Sequence, residues 1–171
     1  ARSAALCPVA PVGCPTFPGM PSGSGQRANF RRLCPFARTL ADVFRPRVLL
    51  LDLDIVIMDD GTPLFSRSEP LLAFDQRHNL PTKHKYNTSM VLMDTGVLGH
   101  LWDEFSADPA GVWDTVKRSR VGDGNNSDQA VFGYYATYRY DGEVISWGDS
   151  DGIEPFYKVR NNDGAGLPEG T

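Results

Sequence analysis

Cysteine is scarce in this chain, with three among 171 residues, Cys7, Cys14 and Cys34, and none after them. An odd number outside any C-x-x-C spacing argues against a zinc knuckle and against a closed disulfide framework, and it points to reduced thiols in a cytoplasmic protein. A long hydrophobic run is also missing. The longest, residues 48–58, is interrupted by Asp52 and Asp54 and falls short of the roughly 18 apolar residues of a membrane-spanning helix. Pro8, Pro11, Pro15 and Pro18 break the stretch where a secretory signal would need continuous apolar residues. There is no basic surplus either: 17 Lys and Arg face 21 Asp and Glu, a net charge of −4. That balance argues against nucleic acid as a partner and leaves a phosphate-bearing substrate open.

What charge there is lies unevenly. Residues 1–47 carry seven Arg and one acidic residue, whereas residues 48–171 carry ten basic and twenty acidic residues. The first segment also holds all three cysteines and seven of the thirteen prolines, so it reads as an irregular or disordered linker from which no core is expected. Within it, Phe30, Leu33, Phe36, Leu40 and Phe44 recur at spacings of three and four, which predicts one short helix. Organised structure is expected from Val48 onward. The run over 48–58 is too apolar for a half-exposed strand and reads as a central strand covered on both faces of an α/β sheet. Residues 61–86 are polar and punctuated by Pro63, Pro70 and Pro81, whereas Met90-Val91-Leu92-Met93 reads as a short buried strand. Three helices are predicted after it. The first presents Leu98, Leu101, Trp102 and Phe105 and closes at Ala107-Asp108-Pro109; the second covers about 111–120 with Val112, Trp113 and Val116 inward. Ser127 caps the third, which places Asp128 and Gln129 in its first turn. Short strands are expected at 143–147 and 156–159.

The chemistry-bearing feature is Asp52-Leu53-Asp54 inside an otherwise apolar run. Two carboxylates near buried surroundings are costly unless something positive neutralises them, and a divalent cation does so. Oxygen-only ligation suits Mg²⁺ or Mn²⁺, which uses one or two carboxylates and completes its shell with water and phosphates. The spacing puts both side chains on one face only if the strand is regular. Tyr86-Asn87-Thr88-Ser89 offers an amide and two hydroxyls able to read a sugar, although Asn87 taken alone reads as a turn residue bonding its own backbone. Asp128 and Gln129 sit where a helix dipole favours a carboxylate. Together they suit binding of acceptor hydroxyls, or stabilisation of positive charge at an anomeric carbon.

In order, Val48-Leu-Leu-Leu-Asp-Leu-Asp-Ile-Val-Ile, Tyr86-Asn-Thr-Ser-Met-Val-Leu-Met-Asp, Leu101-Trp-Asp-Glu-Phe and Ser127-Asp-Gln-Ala-Val resemble a GT-A-fold glycosyltransferase. The chain is most similar to the family 8-like bacterial enzymes, over residues 48–171. The resemblance implies a Rossmann-like mixed sheet flanked by helices, and transfer of a sugar from a nucleotide-sugar donor to a saccharide or other hydroxyl acceptor with retention of anomeric configuration. It implies that Asp52 and Asp54 bind Mn²⁺ or Mg²⁺ and the donor diphosphate. By the same resemblance Asn87 and Ser89 border the donor sugar, Asp128 and Gln129 face both sugars as the catalytic pair, and Lys158 approaches a phosphate. In the family, strands for the base and ribose precede the D-x-D strand, and a histidine ligand follows late. Residues 1–47 do not look like those strands, and His78, His84 and His100 lie elsewhere, so the resemblance implies a domain partial at both ends.

A different class fits some of the same residues. Asp52-Leu53-Asp54-Ile55-Val56-Ile57 also resembles the nucleophile strand of the haloacid dehalogenase-like Mg²⁺-dependent phosphatases, with Thr95, Lys117 and the acidic loop 122–128 in supporting positions. Lys117 is only five residues before Gly122, which leaves little room for the strand that should feed that loop. A third reading is a catalytically inactive fragment or binding module.

Overall fold

The computed structural model describes residues 30–44, 46–75, 85–119, 121, 127–147 and 151–153. It opens with a 3-10 segment, Phe30–Phe36, followed by a second 3-10 turn, Arg38–Leu40, and a four-residue helix α1, Ala41–Phe44. Then come β1 (Arg47–Leu51), α2 (Thr62–Phe65), β2 (Leu71–Asp75) and β3 (Tyr86–Asp94), the helices α3 (Gly99–Ala107), α4 (Pro109–Ser119) and α5 (Asp128–Tyr138), and β4 (Ile145–Trp147). The four strands form one sheet in the order β1-β3-β2-β4. β3 is antiparallel to both neighbours, and β4 runs parallel to β2. A mixed sheet with helices places the chain in the α/β class. Among the described residues no helix is long and apolar enough to cross a membrane.

The three long helices start and stop where local chemistry directs. Asp108 accepts a hydrogen bond from the Gly111 N–H (2.9 Å) and Pro109 begins α4, a position where its missing N–H costs nothing. Ser127 Oγ accepts from the Ala130 N–H (3.2 Å) and caps α5 as its sequence predicts. Leu98, Leu101, Phe105, Trp113 and Val116 turn inward and are buried. They join Leu71, Ala73, Val91 and Met93 from one face of the sheet. The other face packs Leu72, Met90, Leu92 and Trp147 against Ile55, Leu64 and Phe65.

Three elements depart from the sequence reading. The first is the segment before β1, which does contribute to the core: Phe30, Leu33 and Phe36 are 1–2% exposed. Their spacing of three is the repeat of a 3-10 helix, which stacks them in one line. Pro35 lies inside this segment and disfavours helical backbone at the residue before it. Ala37 then adopts extended backbone, φ −62° and ψ 128°, so no continuous α-helix runs to Phe44.

The second is the D-x-D run. β1 ends at Leu51 and has a neighbour on one side only among the described residues. It is therefore an edge strand of half-buried residues and not a central one. The Asp52 N–H makes the last contact with β3, to the Ser89 carbonyl (2.8 Å), and the Ile55 N–H closes a turn onto the Asp52 carbonyl (3.2 Å). Leu53 stands fully exposed at the tip of that turn, and Val56, Ile57 and Met58 are exposed beyond it.

The third is β2, a wholly buried strand inside the stretch that reads as polar. Leu, Leu and Ala are weak strand formers, and tertiary context decides their state. Pro70 is no obstacle, because it precedes the strand and uses only its carbonyl, which accepts the Asp94 N–H (2.8 Å). The strand predicted at 156–159 lies outside the described residues.

Candidate functional site

A bulge in β3 shapes the site. Along β2, Ala73 pairs with Val91 but the next residue, Phe74, pairs with Asn87. Thr88, Ser89 and Met90 are thus extra residues on the β3 side, and the alternation of side chains shifts across them. Met90 and Leu92 face one core, while Tyr86 joins Val91 and Met93 on the helical side. Bulges of this kind re-aim side chains beside functional sites. Here the shift turns the Thr88 hydroxyl toward the start of α5, where it lies 3.2 Å from Asp128 Oδ2 and donates to it.

Around that contact the chain gathers two acids and one base from three separate stretches of sequence. The Arg32 guanidinium lies 2.5 Å from Asp52 Oδ1 and 3.4 Å from Asp128 Oδ2. It also donates to the Thr88 carbonyl (2.8 Å). Burial decreases outward: the side chain of Asp128 is 5% exposed, that of Asp52 25% and that of Arg32 38%. A cavity of about 280 Å³ opens here, lined by Arg32, Thr88 and Asp128 and otherwise by apolar side chains such as Leu33, Phe36, Leu51 and Val91. Burial pushes the Asp128 carboxyl above its ordinary range, opposed by the Arg32 charge and the Thr88 hydrogen bond.

Of the residues predicted from sequence, Asp52 and Asp128 come together through Arg32, and Ser89 touches Asp52 through its carbonyl. Asn87 Oδ1 accepts the Ser89 N–H (2.6 Å), the backbone-directed bond of the turn reading. Gln129 occupies the first turn of α5 beside Asp128 and is half-buried. Asp54 is exposed across the turn from Asp52. Because the strand has ended, the i, i+2 rule that would have aligned the two carboxylates on one face does not apply. Lys158 lies outside the described residues.

A hydrated Mn²⁺ or Mg²⁺ needs only one or two carboxylates, and the sequence reading expects them from Asp52 and Asp54. Asp54 is open to solvent, while Asp52 is engaged by Arg32. Among the described residues no group of three or more His, Cys, Asp or Glu could hold a metal ion. Of the two, Asp52 is neutralised by Arg32, and Asp54 alone is left open to solvent at this turn.

Sequence reasoning missed Arg32 and treated Thr88 only as one of two hydroxyls. A signal for Arg32 was present. Paired acids in apolar surroundings call for a positive partner, and the segment carrying seven Arg and one acid was an internal source of one. The bulge that aims Thr88 left no such mark. Compared with protein-family models, with curated proteins and with solved structures, the chain matches none.

Proposed function

We propose that this chain is a GT-A-type glycosyltransferase domain that transfers a sugar from a nucleotide-diphosphate donor to a hydroxyl acceptor. One observation carries the reading: Asp52 and Asp128, far apart in sequence, share Arg32, and Thr88 of β3 bonds Asp128 beside a cavity that Thr88, Asp128 and Arg32 line. Three weak motifs that converge are more informative than any one of them.

In this reading the donor diphosphate lies over the turn of Asp52 and Asp54, with Lys158 near a phosphate. A divalent ion bound by these aspartates supplies charge neutralisation for the leaving diphosphate. Asn87 and Ser89 border the donor sugar. Asp128, held by Thr88 and Arg32, is oriented with Gln129 toward the sugars, where a fixed carboxylate stabilises positive charge at the anomeric carbon. The phosphatase reading has less support, because Lys117 pairs with Asp114 (3.9 Å) and lies over the Trp113 ring.

The test is a panel of nucleotide sugars incubated with the chain and Mn²⁺, with release of nucleoside diphosphate as readout and p-nitrophenyl phosphate as the competing substrate. Nucleoside diphosphate release that falls about a hundredfold in Asp128→Asn is the expected result. Phosphate release instead would establish the phosphatase. Donor binding without turnover would identify a binding module, and neither binding nor turnover would refute the assignment.

A further inference from the structure

The cavity beside Asp128 is polar at one end only. Thr88, Asp128 and Arg32 form that end. The other described residues that line it are apolar, among them Leu33 and Phe36 of the 3-10 segment, Leu50 of β1 and Val91, its partner on β3. Thr88 and Asp128 are 7% and 3% exposed, so a molecule that meets them leaves water behind. The charges at this end balance, since Arg32 and Asp128 lie 3.4 Å apart. A charged ligand would bring an unpaired charge into apolar surroundings. A saccharide would lose water from several hydroxyls while the walls return no hydrogen bond. The volume of about 280 Å³ suits a small body, because a cavity of about 150 Å³ already admits benzene.

We propose that this cavity binds a neutral molecule with one hydroxyl and a hydrocarbon body, an aliphatic or aromatic alcohol, as the sugar acceptor. The hydroxyl accepts from the Arg32 guanidinium and donates to the Asp128 carboxylate, while the body lies among Leu33, Phe36, Leu50 and Val91. The geometry leaves room for it. Arg32 meets Asp52 at 2.5 Å but Asp128 only at 3.4 Å, so a hydroxyl can enter the looser contact without breaking the shorter pair. The acceptor role rests on the transferase reading and narrows it from any hydroxyl compound to one carried on an apolar body. In that step the hydroxyl oxygen bonds to the anomeric carbon as the bond from that carbon to the donor diphosphate breaks. The electron pair leaves with the diphosphate, which also takes the hydroxyl proton.

The experiment is titration of the isotope-labelled full chain with straight-chain alcohols from butanol to decanol, followed by NMR at the Thr88 and Asp128 amides. Octanoate, octylammonium and glucose are titrated beside octanol. Affinity is expected to rise about fourfold per added methylene until the cavity is full, and then to level off. The two charged analogues and glucose are expected to bind at least about tenfold more weakly than octanol. Two variants act in opposite senses at one half-buried strand position. Leu50→Phe fills the cavity and is expected to weaken octanol binding about tenfold, whereas Leu50→Ala is expected to move the levelling-off to longer alcohols. Loss of structure does not produce a preference for longer chains, so a folding defect cannot mimic the second result. No response to any alcohol, equal binding of the charged analogues, or an unchanged profile in both Leu50 variants would overturn the proposal. Nucleoside diphosphate release from nucleotide sugars that octanol does not accelerate would remove the alcohol as acceptor and leave the transferase reading standing. The expected binding profile without turnover of any sugar donor would leave the ligand class standing and remove the transfer.

Discussion

Thr88 and Asp128 form the most buried polar contact of the site, at 3.2 Å. Removing the hydroxyl leaves a nearly inaccessible carboxylate short of a donor. Thr88→Val is therefore expected to cost about 1–3 kcal/mol, and Thr88→Ser to recover most of it, both measured by urea unfolding. Asp128 also sets a pH dependence. Its folded-state pKa is raised, chiefly by burial, so between its unfolded and folded values the native state holds more protons than the unfolded state. Stability contributed by this group is greatest in acid and falls as pH rises through that window. Relative to Asp128→Asn, the wild type is expected to lose stability as pH rises above the ordinary carboxylate range of about 4. A difference between the two that grows in favour of wild type with rising pH would contradict this. Tyr135 shows a similar sense at the alkaline end. Burial and its hydrogen bond to Glu104 (2.7 Å) raise its pKa, so its contribution persists below about pH 10 and is lost above.

At the scale of elements, the 3-10 segment links site and core. Leu33 fills the interior while its neighbour Arg32 reaches the two aspartates. Leu33→Ala is expected to destabilise the chain by about 2–5 kcal/mol, as thermal or denaturant unfolding would reveal; a loss below about 0.5 kcal/mol would return the segment to the status of a linker. Helix positions were legible in the sequence because caps and the 3.6-residue repeat are local: Ser127 and Asp108-Pro109 mark real ends. The strands were less so. An apolar run announces burial without saying where pairing stops, and β1 stops when β3 bulges away from a regular ladder. β2 went unread because, Phe74 apart, its residues carry little intrinsic strand preference. Of the site, the acids were visible as charges in an apolar setting. The Arg-rich first segment hinted at a cationic partner, but only the fold singles out Arg32 among its seven arginines.

Considered whole, the chain shows an uneven surface. Leu53 and, two residues further on, the run Val56, Ile57 and Met58 are exposed beside β1, an edge strand among the described residues, the combination that invites association. Val56→Lys is expected to reduce concentration-dependent light scattering while changing stability by no more than about 0.5 kcal/mol. Equal scattering before and after would show that this face is not responsible. One detail of β3 ties these scales together. The Thr88 carbonyl receives Arg32, and the next carbonyl, of Ser89, receives the Asp52 N–H. Adjacent peptide groups thus anchor both halves of one ion pair, and slow deuterium uptake at the Asp52 amide is the expected sign that the end of β1 is held against β3.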